Sequence, residues 1–245
     1  MSNEDRREQS ATGDDLAVRL SDLARRLQEQ ENAQDTLDSI VHAAVGTIVG
    51  AEHAGIMVVQ PKPKVVTIAS TDEVPVAVDR HQLDTAQGPC LDALFHERVV
   101  SVPDLDAEPR WPAFAARARK TDVASMLSFR LFVQGENLGA LNLYAGVPHA
   151  FDQESAHVGS LFATHAAVAL ANAQERDHLA EAVQTRDLIG QAKGILMERY
   201  KLTADQAFGL IVRASQHTNT RVRDLAERLA HTGQLTPSGD DAAGA

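Results

Sequence analysis

The sequence RDLIGQAKGILM at residues 186–197 lies near the end of a long helical pattern, and the rest of the chain is best understood outward from it. Its apolar residues recur at spacings of three and four, the period of an amphipathic α-helix. The pattern extends back to Asp152 and forward to Tyr200 with almost no helix-breaking residue. Because this exceeds the length of an ordinary globular helix, it predicts a rod that connects two domains or forms a dimer interface.

Two shorter helical patterns follow the long one. Thr203 and Gln206 have the spacing of a capping box, in which each side chain satisfies a free backbone N–H at the start of a helix. The apolar face of that helix is expected to comprise Ala207, Phe208, Ile211 and Ala214. A third helix is expected to begin at Asn219 or Thr220. Three helices over about 45 residues predict a small bundle with a marginal core.

Charge is unevenly distributed along the chain. The formal net charge is -11, but residues 186–231 contain 8 Lys or Arg against 5 Asp or Glu, a local balance of +3. Phosphate binding depends on the field within about 8 Å at physiological salt, so the total charge does not exclude nucleic acid. A mildly basic C-terminal segment on an acidic body is compatible with an RNA or DNA partner.

The N-terminal region combines a polar tail with a short leucine repeat. Residues 1–14 are polar and acidic and predict a disordered tail that is not a signal peptide. The leucines that follow are spaced like a coiled-coil seam: Leu16, Leu20, Leu23 and Leu27. Two heptads are too few to distinguish dimerisation from packing on the same domain.

The middle of the chain predicts an α+β domain with an antiparallel sheet. Strand patterns occur at 54–60, 65–69, 99–103, 125–133 and 138–144. A helix from Leu37 to Gly50 precedes them, a polar stretch from Ser70 to Arg80 leads to a short segment at 81–87, and short helices begin near 88–93 and 109–120. Helices flanking a sheet built from hairpins are typical of the α+β class.

Residues of about 35–173 resemble a GAF domain of the type found in actinobacterial regulators. The segments that carry the resemblance are GPCLDA (88–93), PRWPAF (109–114), LGALNLYA (138–145) and HAF (149–151). The resemblance implies a sensor that holds a small molecule, or a scaffold that only dimerises; no ligand or cofactor is assigned. Cys90 is the single cysteine, and a buried structural role is the more common one for such a residue.

The C-terminal segment resembles an ANTAR domain, the RNA-binding output module of bacterial antitermination regulators. The segments that carry this resemblance are RDLIGQAKGILM (186–197), AFGLI (207–211), ASQ (214–216) and Asn219 with VRDLAERL (222–229). The resemblance implies binding to a pair of RNA hairpins. Holding the hairpins prevents an intrinsic terminator from folding, so that transcription continues.

The expected RNA contacts centre on one face of the long helix. Arg186 and Lys193 are seven residues apart and therefore share a face, with Gly190 between them. An ordinary helix-packing role for Gly190 and Gly194 stays open. The complete set of expected RNA-binding residues is Arg186, Gly190, Gln191, Lys193, Met197, Arg213, Ser215, Gln216, Arg221 and Arg223.

An enzyme and a DNA-binding regulator are the alternatives. The sequence contains no G-x-S-x-G, P-loop, H-E-x-x-H or paired cysteines, and His157 and His165 have no acidic or cysteine partner at ligand spacing. We therefore expect neither an enzyme nor a metal site. A helix-turn-helix would bind DNA, but the link His217-Thr218-Asn219 lacks the turn glycine expected between its last two helices.

Together these patterns predict a cytoplasmic homodimer with no membrane segment. The expected divisions are a tail at 1–14, a helical lead-in with the GAF-like domain at 15–175, the ANTAR module at 176–235 and a tail at 236–245. The GAF domain is expected to act on the RNA-binding bundle through the long helix. The preferred function is RNA-binding antitermination, and the alternative is a DNA-binding regulator with a ligand-sensing GAF domain.

Overall fold

The structure is a computed structural model that describes residues 18, 21–22, 24–30, 32–60 and 64–234. Both predicted tails, and Leu16, Leu20 and Leu23 of the leucine seam, lie outside the described residues. The chain divides into two compact units between Glu175 and Arg176. Each unit is described separately below.

The first unit is built on a five-stranded sheet of order β2-β1-β5-β4-β3, and every neighbouring pair is antiparallel. The strands are β1 His53–Gln60, β2 Lys64–Ser70, β3 Val99–Val102, β4 Ser125–Val133 and β5 Glu136–Ala145. The hairpin of β4 and β5 turns at Gln134 and Gly135, which both have positive φ. Such a turn follows the right-handed twist of the strands. Both predicted hairpins are confirmed.

One face of the sheet packs against α1, Ala33–Thr47, and against the first part of α5, Gln153–Tyr200. Ile56, Leu141 and Phe129 occupy one row across β1, β5 and β4 and are buried in this core. Leu27 lies in the same core with 1% of its surface exposed. This leucine of the predicted seam therefore packs on its own domain.

The other face is covered by α2 Glu73–Thr85, α3 Pro89–Phe95 and α4 Pro112–Ala118. Helix α2 begins at Glu73, inside the polar stretch from Ser70 to Arg80 for which the sequence pattern predicted no helix. Asp72 caps this helix by accepting from the N–H of Val74, and Pro75 lies in the first turn, where its missing N–H costs nothing. The buried side of α2 includes Asp79 and Gln82, so it shows no apolar stripe in the sequence.

The second unit comprises the end of α5 with α6 Ala204–Thr218 and α7 Val222–Thr232. Its core contains seven buried residues: Ala192, Leu196, Ala207, Ile211, Leu225, Ala226 and Leu229. The capping box at Thr203 and Gln206 is confirmed, with both reciprocal hydrogen bonds present. The uninterrupted helix predicted from Asp152 to Tyr200 is confirmed as the 48-residue α5.

The turn between α6 and α7 differs from the prediction. Asn219 ends α6 in the left-handed region, with φ of 52°, and α7 begins after Arg221, so neither Asn219 nor Thr220 opens the last helix. Asparagine tolerates positive φ, and here it occupies the position of the turn glycine. The missing glycine is therefore not a physical argument against a helix-turn-helix.

Candidate functional sites

A groove runs along α5 in the second unit and contains three of the expected RNA-binding residues. Arg186, Gly190 and Lys193 all line it. Their spacing of four and three residues places them on one face of the helix, as the sequence predicted. The other lining residues are His178, Glu181, Ala182, Thr185 and Ile189. Arg186 is exposed and Lys193 is half-buried, so the groove presents two cations to solvent.

Gly190 leaves an opening in the wall of this groove. A Cβ added there would meet no atom of the described residues within 4 Å, and the same is true of Gly194. Helix packing inside the described chain therefore explains neither glycine. At Gly190, a ligand backbone can approach the helix closely between the two cations.

The remaining expected contacts are spread over the bundle. Gln191 is exposed on α5, Arg213 and Gln216 are exposed on α6, and Arg221 is exposed at the start of α7. None of these four lines the groove.

Three of the expected contacts are engaged within the protein. Met197 is half-buried and packs against the core of the second unit. The Ser215 hydroxyl donates to the carbonyl oxygen of Thr220 at 2.6 Å and so stabilises the turn between α6 and α7. The Arg223 guanidinium donates to the carboxylate of Glu181. Only Arg223 is thereby linked to the groove.

The prediction that Phe208 is buried was wrong. Its side chain is 40% exposed, and Tyr200 is 57% exposed. Residues adjacent in sequence on a helix are rotated by about 100°, so the burial of Ala207 and Ile211 turns Phe208 towards solvent. Both aromatic rings of the second unit are thus partly accessible.

Sequence reasoning also missed the upstream wall of the groove. His178, Glu181 and Thr185 precede Arg186 on the same helix and line the same groove. The signal that could have identified them is the three- and four-residue spacing, counted backwards from Lys193 through Ile189.

The first unit contains a second candidate site, a polar cluster buried between the sheet and α2. Asp79 is fully buried and accepts hydrogen bonds from the Tyr144 hydroxyl at 2.5 Å, from Thr67 Oγ1 at 2.8 Å and from Gln82 Nε2 at 3.1 Å. Burial disfavours the charged carboxylate and raises its pKa from 3.8 to about 6, although the three donors oppose the shift. Loss of water outweighs the hydrogen bonds here.

Two neighbouring strands add unsatisfied polar groups to this region. Asn142 on β5 and Ser128 on β4 are direct cross-strand partners, and both are fully buried. The side-chain amide of Asn142 and the hydroxyl of Ser128 have no hydrogen-bond partner among the described residues. Buried polar groups without partners are uncommon and cost stability, so they mark a functional candidate or a water site.

Cys90 is buried at the edge of the same cluster, where its backbone N–H donates to Gln82 Oε1 at 2.8 Å. Burial, and then the charge of Asp79, raise the pKa of its thiol well above the usual value. A thiol in this state is protonated near neutral pH and is a poor nucleophile. The geometry is that of a structural cysteine.

The described part of the chain lacks two other features, a metal site and a membrane-spanning helix. No group of three or more His, Cys, Asp or Glu residues there has the arrangement of a metal site. Over the same residues, none of the helices combines the length and apolar character needed to span a bilayer.

The comparisons with known families agree with this division of the chain. A GAF domain model matches residues 30–171, and an ANTAR domain model matches residues 177–229. The first match covers more than half of the sequence, so the chain belongs to the GAF domain family. It carries a C-terminal ANTAR domain as well, which makes it a GAF–ANTAR regulator. ANTAR domains act in RNA-binding antitermination and GAF domains act as sensors; both are regulatory and not catalytic.

Solved structures show the same fold at low sequence identity. The GAF domain of a phosphoenolpyruvate-protein phosphotransferase from Coxiella burnetii is 17% identical, with a TM-score of 0.52, over 66% of this chain and 96% of that one. The corresponding GAF domain from Acinetobacter is 15% identical, with a TM-score of 0.51, over 71% and 97%. The Stigmatella aurantiaca phytochrome photosensory core module is 12% identical, with a TM-score of 0.56, over 82% and 44%. No curated protein matches the sequence.

Proposed function

We propose that this protein is a homodimeric antitermination regulator that binds a pair of small RNA hairpins through the groove on α5, under the control of its GAF domain. The observation that carries the proposal is the placement of Arg186 and Lys193 on either side of the open Gly190, inside the segment that matches the ANTAR domain. The protein would act on nascent transcripts in the cytoplasm and keep a terminator from folding.

The chemistry of the groove suits folded RNA. Proteins grip RNA mainly through its phosphates, and Arg and Lys are the usual donors. The exposed rings of Tyr200 and Phe208 are available for stacking on unpaired loop bases. The remaining expected contacts, Gln191, Arg213, Gln216 and Arg221, would reach the RNA from outside the groove.

The helix α5 supplies the surface for the proposed dimer. Four of its apolar side chains are 37–61% exposed: Leu161, Val168, Leu179 and Val183. Two such helices from two copies of the chain would bury these residues against each other. Sedimentation equilibrium at micromolar concentration should give twice the chain mass, and Leu179→Glu with Val183→Glu should reduce it to the mass of one chain.

Control by the GAF domain would pass along α5, which is helical throughout residues 153–200 and so continues through the boundary between the two units. A ligand in the first unit could then bias the two RNA-binding units of a dimer. Deletion of residues 1–150 should change RNA affinity or dimerisation. If both stay the same, the coupling is wrong.

The experiment that tests the RNA site compares charge removal inside and outside the groove. Arg186→Ala and Lys193→Ala should each weaken binding of a two-hairpin RNA, chosen from transcripts that crosslink to the protein in cells. Each should also flatten the salt dependence of binding by a slope of roughly 0.7–0.9. Lys201→Ala removes the same charge outside the groove, from an exposed pair with Glu198, and should have little effect.

Normal RNA binding by both groove variants would remove this face as the RNA surface. A competition between the two-hairpin RNA and duplex DNA tests the class of nucleic acid. Preference for duplex DNA would replace the proposal with the DNA-binding alternative.

A further inference from the structure

Glu181 occupies an unusual position in the proposed RNA-binding unit. It lies on α5, five residues after the second unit begins at Arg176, and it lines the groove together with Arg186 and Lys193. Among the described residues that line this groove, it is the single carboxylate. Its Oε1 accepts a hydrogen bond from Nη1 of Arg223, which reaches across from α7.

The ion pair removes Arg223 from the cationic surface of the free protein. A guanidinium binds a carboxylate and a phosphate through the same planar N–H groups, so the two anions compete for similar donor geometry. Arg223 contributes no net positive charge while Glu181 neutralises it. Glu181 also places its own negative charge where a phosphate would enter.

The pair is accessible enough to be exchanged. The side chain of Arg223 is 36% exposed and that of Glu181 is 59% exposed. Ion pairs at such exposed positions contribute little to stability, because water solvates both partners well when they separate. An incoming phosphate can therefore replace the carboxylate without unfolding the bundle.

We propose that Glu181 is an internal competitor of RNA: its carboxylate holds Arg223 in the free protein, and an RNA phosphate takes its place on binding. The consequence is a lower affinity for RNA than the cations of this unit would otherwise give. An RNA that does not place a phosphate at Arg223 leaves the pair intact and gains nothing from this arginine. This inference rests on the proposed function, since it requires RNA to lie in the groove.

The test compares two glutamates of α5 in the full-length protein. Glu181→Gln keeps the size of the side chain and removes the charge that holds Arg223. It should bind the two-hairpin RNA about 3- to 10-fold more tightly, with a salt slope steeper by roughly 0.7–0.9 because the net positive charge of the RNA-binding surface rises by one. Glu198→Gln is the matched control, because Glu198 is exposed and pairs with Lys201 outside the groove. It should change affinity by less than about twofold.

Two further variants separate the ion pair from the local field. Glu181→Asp keeps the charge but withdraws the carboxylate by one methylene, so it should bind RNA more tightly than the native protein and less tightly than Glu181→Gln. Arg223→Gln should weaken RNA binding and lower the salt slope. Circular dichroism of each variant should show native helix content, as expected for exposed positions.

Each outcome has a defined meaning. Equal affinities for Glu181→Gln and Glu198→Gln would overturn the inference, since only a general charge effect would remain. Weaker binding by Glu181→Gln would also overturn it, because Glu181 would then position Arg223 for RNA instead of competing. If Glu181→Gln gives either of these results while Arg186→Ala and Lys193→Ala weaken binding, the proposed function stands and only this inference fails. If those two also bind normally, the groove is not the RNA surface and both fail.

Discussion

The two units of this chain place their polar residues in opposite environments. In the first unit, Asp79 and Asn142 are fully buried between the sheet and its covering helices. In the second, Arg186 and Gly190 are exposed along an open groove, and Arg223 is only partly covered. A buried polar group is reached only when packing changes, whereas an exposed one is ready to bind. The buried polar groups of the first unit suit a sensor domain, whereas the exposed ones of the second unit suit contact with a large partner.

Core size differs between the units in the same direction. The first unit has two extensive hydrophobic clusters, one on each face of its sheet, while the second has a core of seven buried residues. A small hydrophobic core gives a low free energy of unfolding. The second unit is therefore expected to be the more sensitive to substitution.

The largest expected effect follows from that difference in core size. Leu225→Ala removes a fully buried side chain from the core of the second unit and should cost roughly 2–5 kcal/mol of its free energy of unfolding. Amide hydrogen exchange should show loss of protection in α6 and α7, with β1 and β5 still protected. Leu210→Ala, at a half-buried position of the same bundle, should cost less. Equal loss of protection in both units would contradict the expectation that this substitution affects only the core of the second unit.

The next effect is confined to the first unit and depends on pH. The pKa of Asp79 in the folded state is raised from 3.8 to about 6, so the protonated form is the one favoured by folding. Its stabilising contribution is fully present below about pH 3.8 and is lost as pH rises through 6, in total about 3 kcal/mol. Asp79→Asn should remove this loss.

Urea unfolding of the native protein and of Asp79→Asn between pH 3.5 and 7, followed by a signal from the sheet, checks the prediction. The difference in unfolding free energy between the two proteins should move in favour of the variant as pH rises. A difference that does not vary with pH would mean that Asp79 titrates normally.

A smaller effect on stability is expected when Gly159 of α5 is replaced by alanine. A Cβ at Gly159 would collide with the ring of Phe129 in the core of the first unit. Gly159→Ala should therefore destabilise that unit by about 1–3 kcal/mol, the usual cost of overpacking. Thermal unfolding measures the change. Unaltered stability would show that the Phe129 ring moves aside freely.

The smallest effect is expected at Gly190, where the same substitution meets open space. Gly190→Ala should stabilise the helix by up to about 1 kcal/mol, because alanine loses less backbone freedom on folding. It should still weaken RNA binding if the RNA backbone approaches the helix there. Gly194→Ala is the matched control, since it is equally open but does not line the groove. Identical RNA affinities for the two variants would argue against close approach at Gly190.

Much of the architecture could be predicted from local sequence patterns. The strand pairs, the 48-residue α5 and the capping box at Thr203 follow from side-chain period and turn chemistry within a few residues. The shared face of Arg186, Gly190 and Lys193 follows from helical spacing alone. The family resemblance, and not charge or periodicity, pointed to RNA.

The features that sequence reasoning missed involve contacts between distant segments. Helix α2 was not recognised at its start because its buried side carries Asp79 and Gln82, whose partners lie on other elements. Phe208 was misassigned because an apolar residue at the margin of a helix face is buried only if a neighbour covers it.

By itself, the sequence determined most of the segments that form helices and strands, and that a sensor-type domain precedes a small helical one. Those properties depend on interactions between residues a few positions apart. Only the tertiary structure decided that Asp79 is shielded from water and accepts hydrogen bonds from Tyr144 and Thr67. It also decided that Arg223 forms an ion pair with Glu181, 42 residues earlier in the chain. Desolvation and ion pairing at such separations depend on how whole elements pack, and no local pattern encodes them.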